Sequence, residues 1–390
     1  MKKFIALILA VVLTLALCAP GAFAEELNHG KKCTIGIALY ADGSPQSDAL
    51  KAYLDAIGPE LNCTFKYTVL TQTDEAANLT KIQELISSGV DGIVTTMDLG
   101  SEAIVEECEA AGVYIGGFLC DFQTSFDNSF DRVFKNPYFV GAVADGDCGE
   151  DVRAGQIYFD SLIEYNERNP EAPLTHVSMV MFPTWAFPLN AIKSQQFVDC
   201  VNQYNETAEA PITVDELNPD TDILQFTMMD STYLLKHEGI DAIMSFAAVY
   251  NTYSTLVSSG VDAKIKLFGS GYDRGAEAYF GTAGNGTLQQ IIISAPETIN
   301  YPLVLILNAI NGVTFPDQPE VAERHASSSI VLNSDEDMEA FKNSVWFTAN
   351  GSDAMFTGED VLRMTAYANP DATYADLVES LNHMTIEDIK

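Results

Sequence analysis

One pattern constrains this chain more than any other: from Cys33 onward, strand-length apolar runs alternate with segments of helical periodicity. "TIGIALY" (34–40) precedes Leu50, Tyr53, Leu54 and Ile57, the i, i+3, i+4, i+7 spacing of an amphipathic helix. "TFKYTVL" (64–70) precedes Leu79, Ile82 and Ile86, with Gly89 at the helix end. "DGIVTTM" (91–97) precedes Ile104, Val105 and Cys108, closed by Gly112, and "VYIGGFL" (113–119) follows. Strand, helix, strand, helix is the pattern of an open parallel sheet covered by helices on both faces.

A second series begins at "YFVGAVA" (138–144), with a helix over about 151–164. "HVSMVMF" (176–182) leads into a helix near 188–204, "DAIMSF" (241–246) into one near 249–259, and "KIKLFGSGYD" (264–273) closes the run. Gly89-Val90-Asp91-Gly92-Ile93-Val94 in the first half matches Gly239-Ile240-Asp241-Ala242-Ile243-Met244 in the second, which points to two lobes of one topology. "NGTLQQIIISAP" (285–296) and "NYPLVLILNAING" (300–312) add a strand and a buried helix, and "ASSSIVLNS" (326–334) one more strand. The tail from Val345 carries Trp346 and short helical patterns over 358–368 and 372–383. With no Pro- or Ser-rich linker between the halves, the lobes are joined by short crossings, which favours a hinge.

The charge balance excludes some partners. There are 55 Asp+Glu against 20 Lys+Arg, a formal net charge of −35, which repels phosphate backbones and anionic lipid. The amino terminus reads as a targeting segment: Lys2 and Lys3, an apolar stretch Phe4–Leu17, then Ala22-Phe23-Ala24 as a cleavage signal before Glu25. A second reading takes Leu15-Ala16-Leu17-Cys18 as a lipoprotein box with Cys18 lipidated. Either way the protein is expected to be exported, to the periplasm or the cell exterior. Six cysteines follow, at 33, 63, 108, 120, 148 and 200, without C-x-x-C spacing, so a zinc site is not indicated. Cys33 and Cys63 each open an apolar run; on adjacent parallel strands they would share a sheet edge, either bridged or as buried thiols.

In open parallel sheets, ligands bind beyond the carboxyl ends of the strands. The residues presented there are Tyr40 and Asp42 after the first strand, Asp121 after the fourth and Asp145 after the fifth. Trp185, Phe187 and Lys193 follow "HVSMVMF", Asn251 follows "DAIMSF", Tyr272 and Asp273 follow "KIKLF", and Ser294 follows "QQIII". Gly269 and Gly271 permit close approach and unusual backbone angles, so Tyr272 and Asp273 are expected to face the crevice. Aromatic faces pack on the C–H faces of sugar rings, and carboxylates accept from adjacent hydroxyls. Enzyme signatures are thin: the first strand ends in "YADGSP", without a nucleotide fingerprint, and there is no P-loop, G-x-S-x-G or H-E-x-x-H. "DGDCGED" (145–151) lacks the alternation of a calcium loop.

Together, "LISSGVDGIVTTM", "AAGVYIGGF", "YFVGAVADGDCGED", "GIDAIMSF", "KIKLFGSGYD" and "GTLQQIIISAPETINYPL" resemble the type I periplasmic binding proteins, especially the ribose/galactose-like substrate-binding proteins of ABC importers, over about residues 33–335. The resemblance implies an α/β fold of two Rossmann-like lobes with parallel sheets joined by a three-crossing hinge, with crossings near Ala144-Asp145, Ser294-Ala295 and Ala326-Ser327. After the leader over 1–24, it implies an N-terminal lobe of 25–144 plus 295–326 and a C-terminal lobe of 145–294 plus 327–344, with a helical extension over 345–390 that has no counterpart in small family members. The family's strand-end acids match Asp121 and Asp273. Its arginine four residues before a helical phenylalanine is Lys193 here, which cannot make the planar bidentate contact, and its polar residue before the hinge proline is Ser294. Tyr40 corresponds loosely to the first-strand aromatics and Asn251 approximately to the family's asparagine.

The expectation is therefore a monomeric, non-enzymatic solute-binding protein, without cofactor or metal, that closes on a small polar ligand such as a sugar and presents it to an ABC permease in the membrane. A sensor that signals to a membrane receptor or kinase has the same sequence pattern, and a sugar-active hydrolase using Asp121 and Asp273 is the enzymatic alternative. Transcriptional regulators share the fold, but the export signal and the lack of an N-terminal DNA-binding helix pair argue against one.

Overall fold

A computed structural model describes residues 27–71, 73–120, 130–144, 154–183, 189–217, 222–223 and 229–389. The first lobe is built from β1 (Cys33–Leu39), α1 (Pro45–Ile57), β2 (Cys63–Val69), α2 (Glu75–Ser87), β3 (Gly92–Thr95), α3 (Ser101–Ala111), β4 (Tyr114–Phe118), α4 (Phe130–Lys135) and β5 (Phe139–Ala144). The second holds α5 (Ala154–Arg168), β6 (His176–Val180), α6 (Leu189–Asn205), β7 (Thr213–Val214), α7 (Ser231–Lys236), β8 (Ala242–Ser245), α8 (Val249–Ser258), β9 (Lys266–Ser270) and β10 (Leu288–Ile293). α9 (Asn300–Asn311), β11 (Arg324–Ala326) and β12 (Ile330–Leu332) follow. The chain then runs through α10 (Asp335–Phe341), α11 (Val345–Thr348), α12 (Gly358–Arg363), α13 (Tyr374–Glu379) and α14 (Ile386–Ile389).

The sheets have one topology. Their orders are β11-β5-β4-β3-β1-β2 and β12-β10-β9-β8-β6-β7. The first is parallel throughout; in the second, β12 runs antiparallel to β10. Each reverses order beside its first strand, β1 or β6, which opens a crevice at the carboxyl edge. The register sets Cys33 opposite Cys63, both buried, with sulfurs 2.7 Å apart. That contact, with burial, pushes the Cys63 thiol up.

Local signals explain the helix that matters most for the site. α1 starts at a capping box in which Ser44 and Ser47 satisfy each other's backbone N–H, with Pro45 in its first turn. Its face of Ala49, Leu50, Tyr53, Leu54 and Ile57 is buried under the first sheet. α9 is buried from Asn300 to Asn308 because it lies between the sheet and the tail. Among the described residues no helix is long and apolar enough to cross a membrane.

One contiguous core runs through the molecule. It joins Ile35 and Tyr53 of the first lobe, Leu267 and Phe280 of the second, Leu303 of α9 and Trp346 and Leu377 of the tail. Among the described residues two further cores fill the outer faces, around Ile93 and Ile115 and around Val177 and Phe268. The tail is fastened by specific bonds. Met355 N donates to Glu297 Oε1 at 2.9 Å, Ala366 N to Asn308 Oδ1 at 2.9 Å, and the Tyr374 and Tyr301 hydroxyls meet at 2.7 Å. Ser328 N donates to Leu381 O at 2.9 Å just before β12.

Candidate functional site

A cavity of about 110 Å³ lies where the order of the first sheet reverses, at the carboxyl ends of β1, β3 and β4. Tyr40, Gln46, Ser47, Thr96, Phe118 and Leu119 line it. Tyr40 follows β1 directly and is 41% exposed. The Ser47 hydroxyl donates to Ser44 O and the Thr96 hydroxyl to Ala38 O, both turned to the backbone. No described residue bonds the half-buried Gln46 amide, which leaves two donors and an acceptor for a ligand. Leu119 takes a left-handed backbone, φ 51°, of the kind stored at binding sites.

Across the crevice, β9 ends in Gly269-Ser270-Gly271. A Cβ on Gly269 would stand 2.5 Å from Val249 Cγ2, so glycine lets α8 pack against the strand, and Gly271 turns the chain at φ 92°. Asp273 emerges half-buried, and no described group donates a hydrogen bond to its carboxylate. Loss of solvent pushes its carboxyl above the usual range. The hydroxyl of Tyr279 is buried without a partner among the described residues; burial, then the charge of nearby Asp273, push it up. Tyr279 stacks on Tyr253 with ring centroids 3.7 Å apart. Next in the chain, Arg274 forms an ion pair with Asp48 of α1. That bond joins the lobes beside Asp273 on one side and Gln46 and Ser47 on the other.

The other expected site residues are dispersed. Asp42 is exposed and paired with Lys51, and that bond holds its carboxyl below the usual range. Asn251 lies half-buried in the first turn of α8, with no bond to its amide from a described residue. Lys193 is only 5% exposed, near the close contact of α5 and α6 at Gly155. Ser294 is buried at the end of β10, and its carbonyl accepts from Trp346 Nε1 at 2.8 Å. Asp121, Asp145, Trp185 and Phe187 lie outside the described residues, as do the leader with Cys18 and the 145–151 loop. Tyr272 corrects one expectation: it does not face the crevice but is buried, packed on Phe341, Trp346 and Phe347. Gln46 and Tyr279 went unnoticed in the sequence, since no motif marks them.

A second polar cluster lies elsewhere in the second lobe. Asp215 bonds His176 Nε2 at 2.6 Å and His237 Nδ1 at 2.7 Å, and Asp222 bonds His237 Nε2 at 2.8 Å. The Ser178 hydroxyl lies 3.2 Å from His237 Nδ1. These are triad residue types, but Ser178 is 1% exposed in the middle of β6 and no substrate reaches it. The cluster ties β6 to the loops after β7 and α7.

No protein-family model matches the chain, and no curated protein matches its sequence. Solved structures do. GanP, a glucose-galactose binding protein from Geobacillus stearothermophilus, aligns over 78% of this chain and 98% of its own, at 14% identity and TM-score 0.50. A carbohydrate transporter solute-binding protein from Agrobacterium radiobacter, in complex with D-arabinose, aligns over 79% and 98%, at 15% identity and TM-score 0.56. This chain has the type I periplasmic binding protein fold. A putative LacI transcriptional regulator from Bacteroides fragilis shares it, with 13% identity, coverage of 79% and 99%, and TM-score 0.52. Type I lobes of this kind serve binding proteins and regulators alike, so function has to come from the site.

Proposed function

We propose that this chain is an extracytoplasmic solute-binding protein that takes a neutral sugar between its lobes and presents it to the permease of an ABC importer. The Asp273 carboxylate carries the reading. It is half-buried at a strand end, deprived of solvent and unbonded by any described residue. Such a group is satisfied when a ligand hydroxyl donates to it. Tyr40 and the Gln46 amide give the cavity an aromatic and neutral polar lining. Solved neighbours that bind glucose-galactose and D-arabinose support the ligand class. The acidic balance of the chain disfavours phosphorylated or carboxylated ligands. The leader supports export, with maturation at Glu25 or lipidation at Cys18.

Thermal unfolding against D-glucose, D-galactose, D-arabinose, nucleosides and amines tests the class. A ligand at a hundred times its Kd stabilises the fold by about 2.7 kcal/mol, a clear rise in midpoint. A rise with a neutral sugar is expected. A rise only with nucleosides or amines contradicts the sugar assignment.

A further inference from the structure

The tail is the largest part of the molecule for which the site has no use, yet its first helix reaches the site from behind. Trp346 of α11 is buried, and its indole N–H donates 2.8 Å to the carbonyl of Ser294. The Trp346 ring stands edge-on to Tyr272 at 6.5 Å and 85°, and Phe347 packs on the same ring at 6.2 Å. Tyr272 directly precedes Asp273. On its other side α11 packs against α1, the helix that carries Gln46 and Ser47 into the cavity. One turn of helix thus touches the strand end of Ser294, the residue before Asp273 and the helix of the opposite lobe.

We propose that Trp346 is a positioning residue of the cleft: it orders Ser294 and Asp273 and narrows the range of lobe separations in the ligand-free protein. The inference rests on the reading of the cleft as the ligand site. The physical basis is preorganisation. A buried indole N–H without its acceptor is costly, and edge-on aromatic pairs fix ring orientation. Ser294 and Asp273 are therefore ordered before a ligand arrives, which leaves less disorder to remove on binding.

The test compares the wild-type protein with Trp346→Phe, which keeps a ring but loses the N–H, and Trp346→Leu, which loses both. Calorimetry uses the sugar that raises the wild-type midpoint, well below the midpoint of every variant. Trp346→Phe is expected to weaken binding about tenfold and Trp346→Leu more, with a non-additive effect in the Tyr272→Leu, Trp346→Leu double variant. A purely structural tryptophan lowers the midpoint and leaves Kd alone, and that outcome overturns the proposal. If Trp346→Leu does not fold, Trp346→Phe decides the matter. A ligand-free measurement separates this proposal from the sugar reading. Spin labels on Val69→Cys and Leu235→Cys, exposed positions on the two lobes, report their separation. A broader distance distribution in Trp346→Phe than in wild type is expected; identical distributions overturn the proposal even if no sugar in the panel binds.

Discussion

Asp273 and Asp215 are carboxylates in opposite situations, and the contrast says what each is for. Asp273 is pushed up by lost solvent and has no described partner, so its charge is maintained at a cost to the fold. Asp215 is also desolvated, but its bonds to His176 and His237 outweigh that and hold its carboxyl below the ordinary value. A lowered carboxyl adds stability above its unfolded value, and that contribution is lost as pH falls through the folded one. Asp215→Asn is therefore expected to cost about 2–3 kcal/mol at pH 7. In urea unfolding the difference from wild type should shrink as pH falls below the unfolded value of 3.8. An equal difference at pH 7 and pH 2.5 contradicts the assignment. At this scale the sequence was only partly legible. Asp273 was marked by a strand end and two glycines, whereas His176 and His237 stand 61 positions apart and only the sheet brings them together.

At the scale of elements, the junction between β10 and α9 holds a buried carboxylic acid. Glu297 is buried in the turn Pro296–Ile299, with Oε1 accepting from Met355 N at 2.9 Å and Oε2 without a partner among the described residues. Burial raises its carboxyl from the ordinary 4.5 to about 7. A raised carboxyl binds its proton more tightly in the folded state, so stability falls as pH rises from 4.5 to about 7. At about 1.4 kcal/mol per pH unit, the loss is at most about 3.5 kcal/mol. Glu297→Gln keeps an acceptor for Met355 N and removes the titration. Its midpoint should exceed that of wild type at pH 8 and match it at pH 4.5; a parallel pH dependence in the two proteins refutes this. The alternation of strands and helices was legible because both periods are local. The packing of the tail was not. Trp346, Tyr374 and Leu381 are bound by partners 52, 73 and 53 residues away, and short helices carry too few turns for a pattern to show which face is buried.

Across the whole molecule, two like-ordered sheets face one crevice, and the lobes touch through the Arg274–Asp48 ion pair at its mouth. Arg274 and Asp48 side chains are 60% and 34% exposed, so the pair contributes at most about 1 kcal/mol and is screened by salt. Arg274→Gln should weaken sugar affinity about two- to fivefold at low ionic strength, and the difference should vanish at about 0.5 M salt. A difference that persists at high salt assigns Arg274 to direct ligand contact instead. The central claim is that Asp273 accepts a hydrogen bond from a neutral sugar in the cleft, and titration calorimetry of wild type and Asp273→Asn with the same sugar tests it most directly. A charge-assisted bond of about 1.5–3 kcal/mol predicts affinity about 10- to 100-fold weaker in Asp273→Asn, together with an unfolding midpoint equal to or above that of wild type at pH 7. Equal affinity in the two proteins contradicts the account.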